Sequence, residues 1–141
     1  MRAHLDELDK VAAAILKDDF KGVVLLKGVV GSGKTTLVQA CLKHLGLDIQ
    51  ATSPTFSLMH AYSESVFHYD FYMRDLEACL ELGMLECLLE KGIHFVEWGD
   101  EKLEKILKKY DLAIKVVEIK TELTSRFYTI RSFKGSFEWI F

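Results

Sequence analysis

The chain has 141 residues, half of them hydrophobic, and carries a formal net charge of −3. That length sets the expectation of one domain over residues 1–141 around one core, and the apolar fraction is ample for a buried sheet. With a single proline and no long run of like charge or of Ser and Gly, the composition excludes a disordered chain; the acidic balance gives no drive toward non-specific nucleic-acid binding.

In chain order, Leu5, Leu8, Val11, Ala12, Ile15 and Leu16 recur at helical spacing and predict a helix over residues 5–17. Asp18, Asp19 and Gly22 bracket a break. The run VVLLKG that follows is continuous and apolar, as in a strand covered on both faces. It leads into GVVGSGKTT, Gly28 to Thr36, which fits G-x-x-x-x-G-K-[ST]. KTTLVQACLKHLG then reads as a helix with Gly46 placed to end it. Residues 47–65 carry turn chemistry around Pro54 and no helical period. VFHYDFY alternates, with Phe67, Tyr69 and Phe71 toward one face and His68, Asp70 and Tyr72 toward the other. DLEACLELGMLECLLEKG predicts a helix interrupted at Gly83, IHFVEW a short strand ending in an acid, and DEKLEKILKKY an amphipathic helix with a solvated basic face. LAIKVVEIKT and SRFYTIRSF, joined by ELTS, predict a hairpin. The expected fold is α/β: a mixed, largely parallel sheet with helices on its faces and a C-terminal β-hairpin.

Strand, glycine loop and helix are the context in which this loop binds triphosphates. Gly28, Gly31 and Gly33 let the backbone turn its amides toward phosphate oxygens at the start of the helix. Gly28, Val30, Gly31, Ser32, Gly33, Lys34, Thr35 and Thr36 are therefore the expected nucleotide-binding residues, with Lys34 reaching the β- and γ-phosphates and Thr35 giving its hydroxyl to Mg²⁺. Mg²⁺ in such a site needs a further acidic anchor at a strand end. Asp70 and Glu97 both qualify, and spacing does not choose between them. His68 is expected to bond Asp70, His94 to be structural and Trp98 to serve packing or an interface. Arg74, Arg126 and Arg131 are candidates for γ-phosphate or partner contacts, though any one of them is more often a surface arginine. Cys41, Cys79 and Cys87 form no C-x-x-C and read as buried hydrophobes in a reducing compartment. The acidic residues Asp6, Glu7 and Asp9 interrupt any secretory leader, and no run approaches the roughly 20 apolar residues of a membrane span. A cytoplasmic protein is expected.

SPTF at 53–56, FHYDFY at 67–72 and VEW at 96–98 follow the loop in order. Together they resemble the bacterial TsaE family, small ATPases needed to make threonylcarbamoyladenosine on transfer RNA, over about residues 22–100. The resemblance implies that Lys34 binds phosphate, that Thr35 and Glu97 hold Mg²⁺, and that Ser53 and Thr55 lie in a switch-like segment sensing the γ-phosphate. It implies that Asp70 organises the metal or the attacking water. It further implies ATP as cofactor, docking on a complex of TsaD and TsaB, and contact with transfer RNA only through those partners. Departures from the family pattern are Val30 for leucine, Ser32 for alanine, Met73 for arginine with Arg74 one residue later, and Gly99 for proline. A small-molecule kinase is the competing reading, but the four arginines do not cluster into a lid. A GTP-driven switch lacks the guanine-reading N-K-x-D.

Overall fold

The computed structural model describes residues 1–52, 58–72 and 74–133. Its strands are β1 (Arg2–Ala3), β2 (Gly22–Lys27), β3 (Met59–Ser63), β4 (Val66–Asp70), β5 (Ile93–Glu97), β6 (Ile114–Thr121) and β7 (Arg126–Phe133). Its helices are α1 (Leu8–Ile15), α2 (Lys34–His44), α3 (Leu76–Glu81), α4 (Met84–Leu88) and α5 (Glu101–Lys109). The strands form one sheet in the order β1-β7-β6-β2-β5-β4-β3. Its centre is parallel, β6-β2-β5-β4, and antiparallel pairs close both edges. This is the expected mixed α/β sheet, with the hairpin β6–β7 turning through residues 122–125.

Strand alternation divides the core into two layers. Val24 and Leu26 of β2 and Phe95 of β5 pack against Leu8, Val11, Ala12 and Ile15 of α1 and Leu37, Val38, Cys41 and Leu42 of α2. Val23 and Leu25, one residue out of phase, pack on the opposite face with Phe67, Tyr69, Phe71, Val96 and the buried side of α5, Leu103 and Leu107. Helices on both faces explain why β2 reads as an unbroken apolar run. The aromatic face Phe67, Tyr69, Phe71 is core, as its alternation requires.

Several boundaries differ from expectation. The first helix begins with a 3₁₀ turn, Leu5–Glu7, before α1. The expected interruption at Gly83 separates α3 from α4, with Gly83 at φ 96°. Two strands, β1 and β3, go unforeseen in the sequence reading, and both lie at sheet edges. β3 pairs antiparallel with β4 and carries an irregularity between Ala61 and Ser63 that leaves Tyr62 as the extra residue. Among the described residues, no helix is long and apolar enough to cross a membrane. The three cysteines are free thiols, and burial pushes the Cys41 thiol up to about 12.

Candidate functional site

The glycine loop joins β2 to α2 at the C-terminal edge of the parallel strands, where the central strand meets a helix N-terminus. Gly28 is required by contact: a Cβ there would fall 2.4 Å from Ser32 Oγ and 3.1 Å from the Ile119 carbonyl oxygen. Gly33 is required by conformation, since it caps α2 at φ 102°, in the left-handed region. The loop closes on itself through Ser32 N–H donating to the Val29 carbonyl at 3.0 Å. Gly33 caps α2 without a side-chain bond, and no acid occupies the first turn of the helix. The positive end of the helix is therefore uncompensated by any carboxylate of its own, which suits a phosphate.

Lys34 is nearly buried, at 5% exposure. Its ammonium donates to the Gly28 carbonyl at 2.7 Å and the Val29 carbonyl at 3.1 Å, folding back over the loop. It also lies 4.1 Å from the centroid of the Trp98 ring, a cation–π contact. Burial holds the Lys34 pKa below the usual lysine value, and the carboxylates of Glu97 and Asp70 oppose that shift.

Thr35 Oγ1 donates to Glu97 Oε2 at 2.9 Å. The contact is possible because β5 lies directly beside β2, in parallel register with Glu97 opposite Leu26. Asp70 sits one strand further out, level with Glu97 on β4, and its Oδ1 accepts the Tyr72 amide at 2.9 Å. A cleft of about 330 Å³ brings Lys34, Thr35, Asp70, Glu97, Tyr72 and Trp98 together with the loop residues Val30, Gly31 and Gly33. On the other side of the loop, a second cleft of about 230 Å³ is lined by Gly31, Ser32, Gly33 and Thr36, with Leu5, Leu8, Arg126 and Tyr128 across from them.

The Thr35–Glu97 pair fits Mg²⁺ on its own geometry. Two oxygens at adjacent vertices of an octahedron with bonds of about 2.1 Å lie about 3.0 Å apart, close to the 2.9 Å between Thr35 Oγ1 and Glu97 Oε2. Both donors are hard oxygens, and no group of three or more His, Cys, Asp and Glu side chains that would hold a softer ion exists among the described residues. A site with so few protein oxygens is of the kind that Mg²⁺ completes with phosphates and water.

The geometry separates the expected residues. Gly28, Val30, Gly31, Ser32, Gly33, Lys34, Thr35 and Thr36 form one continuous loop and helix start, although Val30 and Thr36 point largely to solvent. Ser53 and Thr55 lie outside the described residues, as do Met73 and Trp139. His68 does not pair with Asp70: its Nε2 lies 2.5 Å from Glu97 Oε2, because the parallel neighbour β5 offers the nearer carboxylate on the same face. His94 is structural, bonded to the Tyr69 hydroxyl at 2.8 Å and the Glu90 carbonyl at 2.7 Å. Arg126 is more than a surface arginine, since its Nε donates to the Ser32 carbonyl at 3.2 Å within the glycine loop. Arg131 faces Glu118 and Glu104 at 3.6 Å and 4.0 Å, away from the loop.

Sequence reasoning missed Tyr62, which meets His68 Nδ1 at 2.8 Å, and gave Trp98 no part in the loop. Trp98 has φ 63°, left-handed and rare for a bulky side chain, and its ring packs on Tyr72 at 4.7 Å between centroids. The sequence signal that was available is only a bulky aromatic directly after the strand-end acid; its left-handed backbone is visible in the structure alone.

Sheet order, loop conformation and a start of α2 that lacks a side-chain cap define an α/β protein of the phosphate-loop type. A family model described as "Threonylcarbamoyl adenosine biosynthesis protein TsaE" matches residues 2–127. The chain belongs to the TsaE family. It is 34% identical over 97 residues to the protein named tRNA threonylcarbamoyladenosine biosynthesis protein TsaE in Treponema pallidum, a stretch covering 67% of this chain and 71% of that one. The protein of the same name in Nostoc is 38% identical over 86 residues, covering 55% of this chain and 52% of its own length. The fold is similar to the crystal structure of YdiB from Bacillus subtilis, with a TM-score of 0.65 and 23% identity over 99% of this chain and 88% of the other.

Proposed function

We propose that this protein is the Mg²⁺-dependent ATPase subunit of tRNA threonylcarbamoyladenosine formation, docking on a TsaD–TsaB complex and using ATP binding and hydrolysis to assemble or reset it. Family membership supports the pathway. The observation that carries the chemistry is the 2.9 Å contact between Thr35 Oγ1 and Glu97 Oε2 at the N-terminus of α2, beside Lys34.

In this reading the loop amides and Lys34 hold the β- and γ-phosphates, and Thr35 and Glu97 hold the metal. Mg²⁺ bound there supplies charge neutralisation at the terminal phosphates. Lys34 exchanges its carbonyl partners on Gly28 and Val29 for phosphate oxygens without leaving the cleft. Asp70, level with Glu97, orients the attacking water. Leu5 and Leu8 give the second cleft an apolar wall suited to the faces of adenine. Transfer RNA is reached through the partners, in keeping with the charge of −3.

The test is calorimetric titration of MgATP into the full chain, with single-turnover hydrolysis measured with and without TsaD–TsaB. Lys34→Ala is expected to weaken ATP binding about a hundredfold through loss of a charge-assisted contact. Glu97→Gln is expected to keep nucleotide binding and lose its dependence on Mg²⁺. A chain that binds no MgATP overturns the ATPase reading, and a hydrolysis rate indifferent to TsaD–TsaB overturns the docking reading.

A further inference from the structure

His68 is completely buried on the α1/α2 face of the sheet, yet it is not packed as an apolar residue would be. Its Nε2 meets Glu97 Oε2 at 2.5 Å and its Nδ1 meets the Tyr62 hydroxyl at 2.8 Å. The Tyr62 hydroxyl lies 3.3 Å from the Thr52 amide nitrogen and 3.2 Å from the Thr52 carbonyl oxygen. With Thr35 Oγ1 on the same Glu97 oxygen, a continuous polar chain runs from the backbone of Thr52 through Tyr62, His68 and Glu97 to Thr35. Tyr62 reaches His68 from the irregular point of β3, where the extra residue re-aims its side chain.

The directions of these bonds follow from the carboxylate. Glu97 accepts, so His68 Nε2–H donates to it. In the neutral ring Nδ1 is then the acceptor; the Tyr62 O–H has two acceptors in reach, His68 Nδ1 at 2.8 Å and the Thr52 carbonyl at 3.2 Å, of which Nδ1 is the nearer, and the Tyr62 oxygen accepts the Thr52 amide. The ring of His68 cannot turn without leaving a buried polar atom unpaired. A glutamate side chain has three rotatable bonds. The bond from His68 fixes the oxygen that faces Thr35 before any ligand arrives.

We infer that His68 is a positioning residue for Glu97, and that Tyr62, anchored on Thr52, holds His68 in the orientation and tautomer that this requires. The inference rests on the reading of Glu97 as a Mg²⁺-holding residue. It adds that metal affinity at this site is set by a relay that is buried at His68 and Glu97 and whose far end comes to the surface at half-buried Tyr62 on β3 and the Thr52 backbone, beyond the glycine loop and the strand-end acid. A histidine that only filled space would affect stability and leave the metal dependence untouched.

The experiment titrates Mg²⁺ against N-methylanthraniloyl-ATP bound to the full chain, measuring in parallel the affinity for the nucleotide without metal and the thermal midpoint. His68→Leu is expected to raise the half-saturating Mg²⁺ concentration about 10–100-fold, the range for partners that orient a metal ligand, while metal-free nucleotide affinity changes less than about twofold. His68→Gln retains an amide N–H for Glu97 and is expected to recover most of that loss. Tyr62→Phe keeps the ring, removes one hydroxyl and is expected to shift the Mg²⁺ midpoint about threefold, below the effect of losing the histidine. If His68→Leu does not fold, Tyr62→Phe decides the matter. A lowered thermal midpoint with an unchanged Mg²⁺ midpoint in His68→Leu or, failing that variant, in Tyr62→Phe overturns the inference. Glu97→Gln is run alongside: if wild type depends on Mg²⁺ and Glu97→Gln does not, while His68→Leu and Tyr62→Phe behave as wild type, the relay alone has failed. If Glu97→Gln titrates as wild type, the metal reading fails and takes the relay with it.

Discussion

His68 and His94 sit on neighbouring strands, level with Phe95 and Phe67 respectively, and point to opposite faces of the sheet. Both are buried, and both meet a tyrosine hydroxyl at 2.8 Å through Nδ1. The difference lies in the other nitrogen. His94 Nε2 donates to the Glu90 backbone carbonyl at 2.7 Å, and its ring stacks on Phe67 at 4.8 Å. His68 Nε2 donates to a carboxylate that also bonds Thr35 of the phosphate loop. One histidine ends in a fixed backbone atom and closes a core. The other ends in a side chain that belongs to the site. Identical residue types, at the same depth and with the same first partner, are thus told apart by what lies one bond further on.

Removing His94 should break this comparison most forcefully, because it touches stability alone. His94→Ala opens a cavity between Phe67 and Tyr69 and leaves the buried Tyr69 hydroxyl without its partner. A loss of about 3 kcal/mol is expected, from the cavity and the unpaired hydroxyl together. Urea unfolding measures it. The affinity for MgATP in the folded fraction should stay within about twofold of wild type, since no His94 partner reaches the loop. A large change in Mg²⁺ dependence in this variant would erase the distinction between the two histidines.

The strand end next to Glu97 differs from the His94 end in carrying strain. Trp98 turns the chain at φ 63° immediately after Glu97, holding its ring over Lys34 and against Tyr72. Removing the ring two ways separates conformation from contact. Trp98→Gly and Trp98→Ala both lose the cation–π and aromatic contacts, but glycine adopts this backbone freely. Trp98→Gly is therefore expected to be about 1 kcal/mol more stable than Trp98→Ala, the reverse of the order found at ordinary positions. Equal stabilities, or alanine the higher, would show that position 98 is not held in the left-handed region.

The sequence made the glycine loop and its flanking strand and helix legible because their signal is local: an apolar run, a glycine pattern and a helical period within 25 residues of one another. The hairpin β6–β7 was legible for the same reason. β3 was not. Its residues lie in a stretch marked by turn chemistry, and its pairing is with β4 at a sheet edge, where one face need not be apolar. The partner of His68 was equally out of reach. Alternation correctly put His68 and Asp70 on one face, but choosing Glu97 over Asp70 required knowing that β5 lies between β2 and β4. Strand order is a long-range property, and it decides which of two equivalent acids meets Thr35. The family resemblance names Glu97 without that knowledge, and the structure shows Thr35 Oγ1 donating to Glu97 Oε2 at 2.9 Å.

The smallest expected effect concerns protons on the structural side of the comparison. Burial holds the His94 pKa below the ordinary histidine value, and the Glu90 carbonyl and charge oppose the shift without cancelling it. The folded state therefore resists protonation at His94, while the unfolded chain accepts a proton near pH 6.5. Below that value the unfolded state binds more protons than the folded state, so stability falls as the pH drops from about 6.5 toward the lower folded pKa. Above about 6.5 this residue adds no slope. His94→Gln, which keeps an amide for the Glu90 carbonyl and cannot titrate, should flatten that part of the profile. Denaturant midpoints of wild type and variant at pH 7.5 and 5.5 make the comparison. The wild type should lose more stability over this interval than the variant, and an identical loss in both would place the acid sensitivity elsewhere in the molecule.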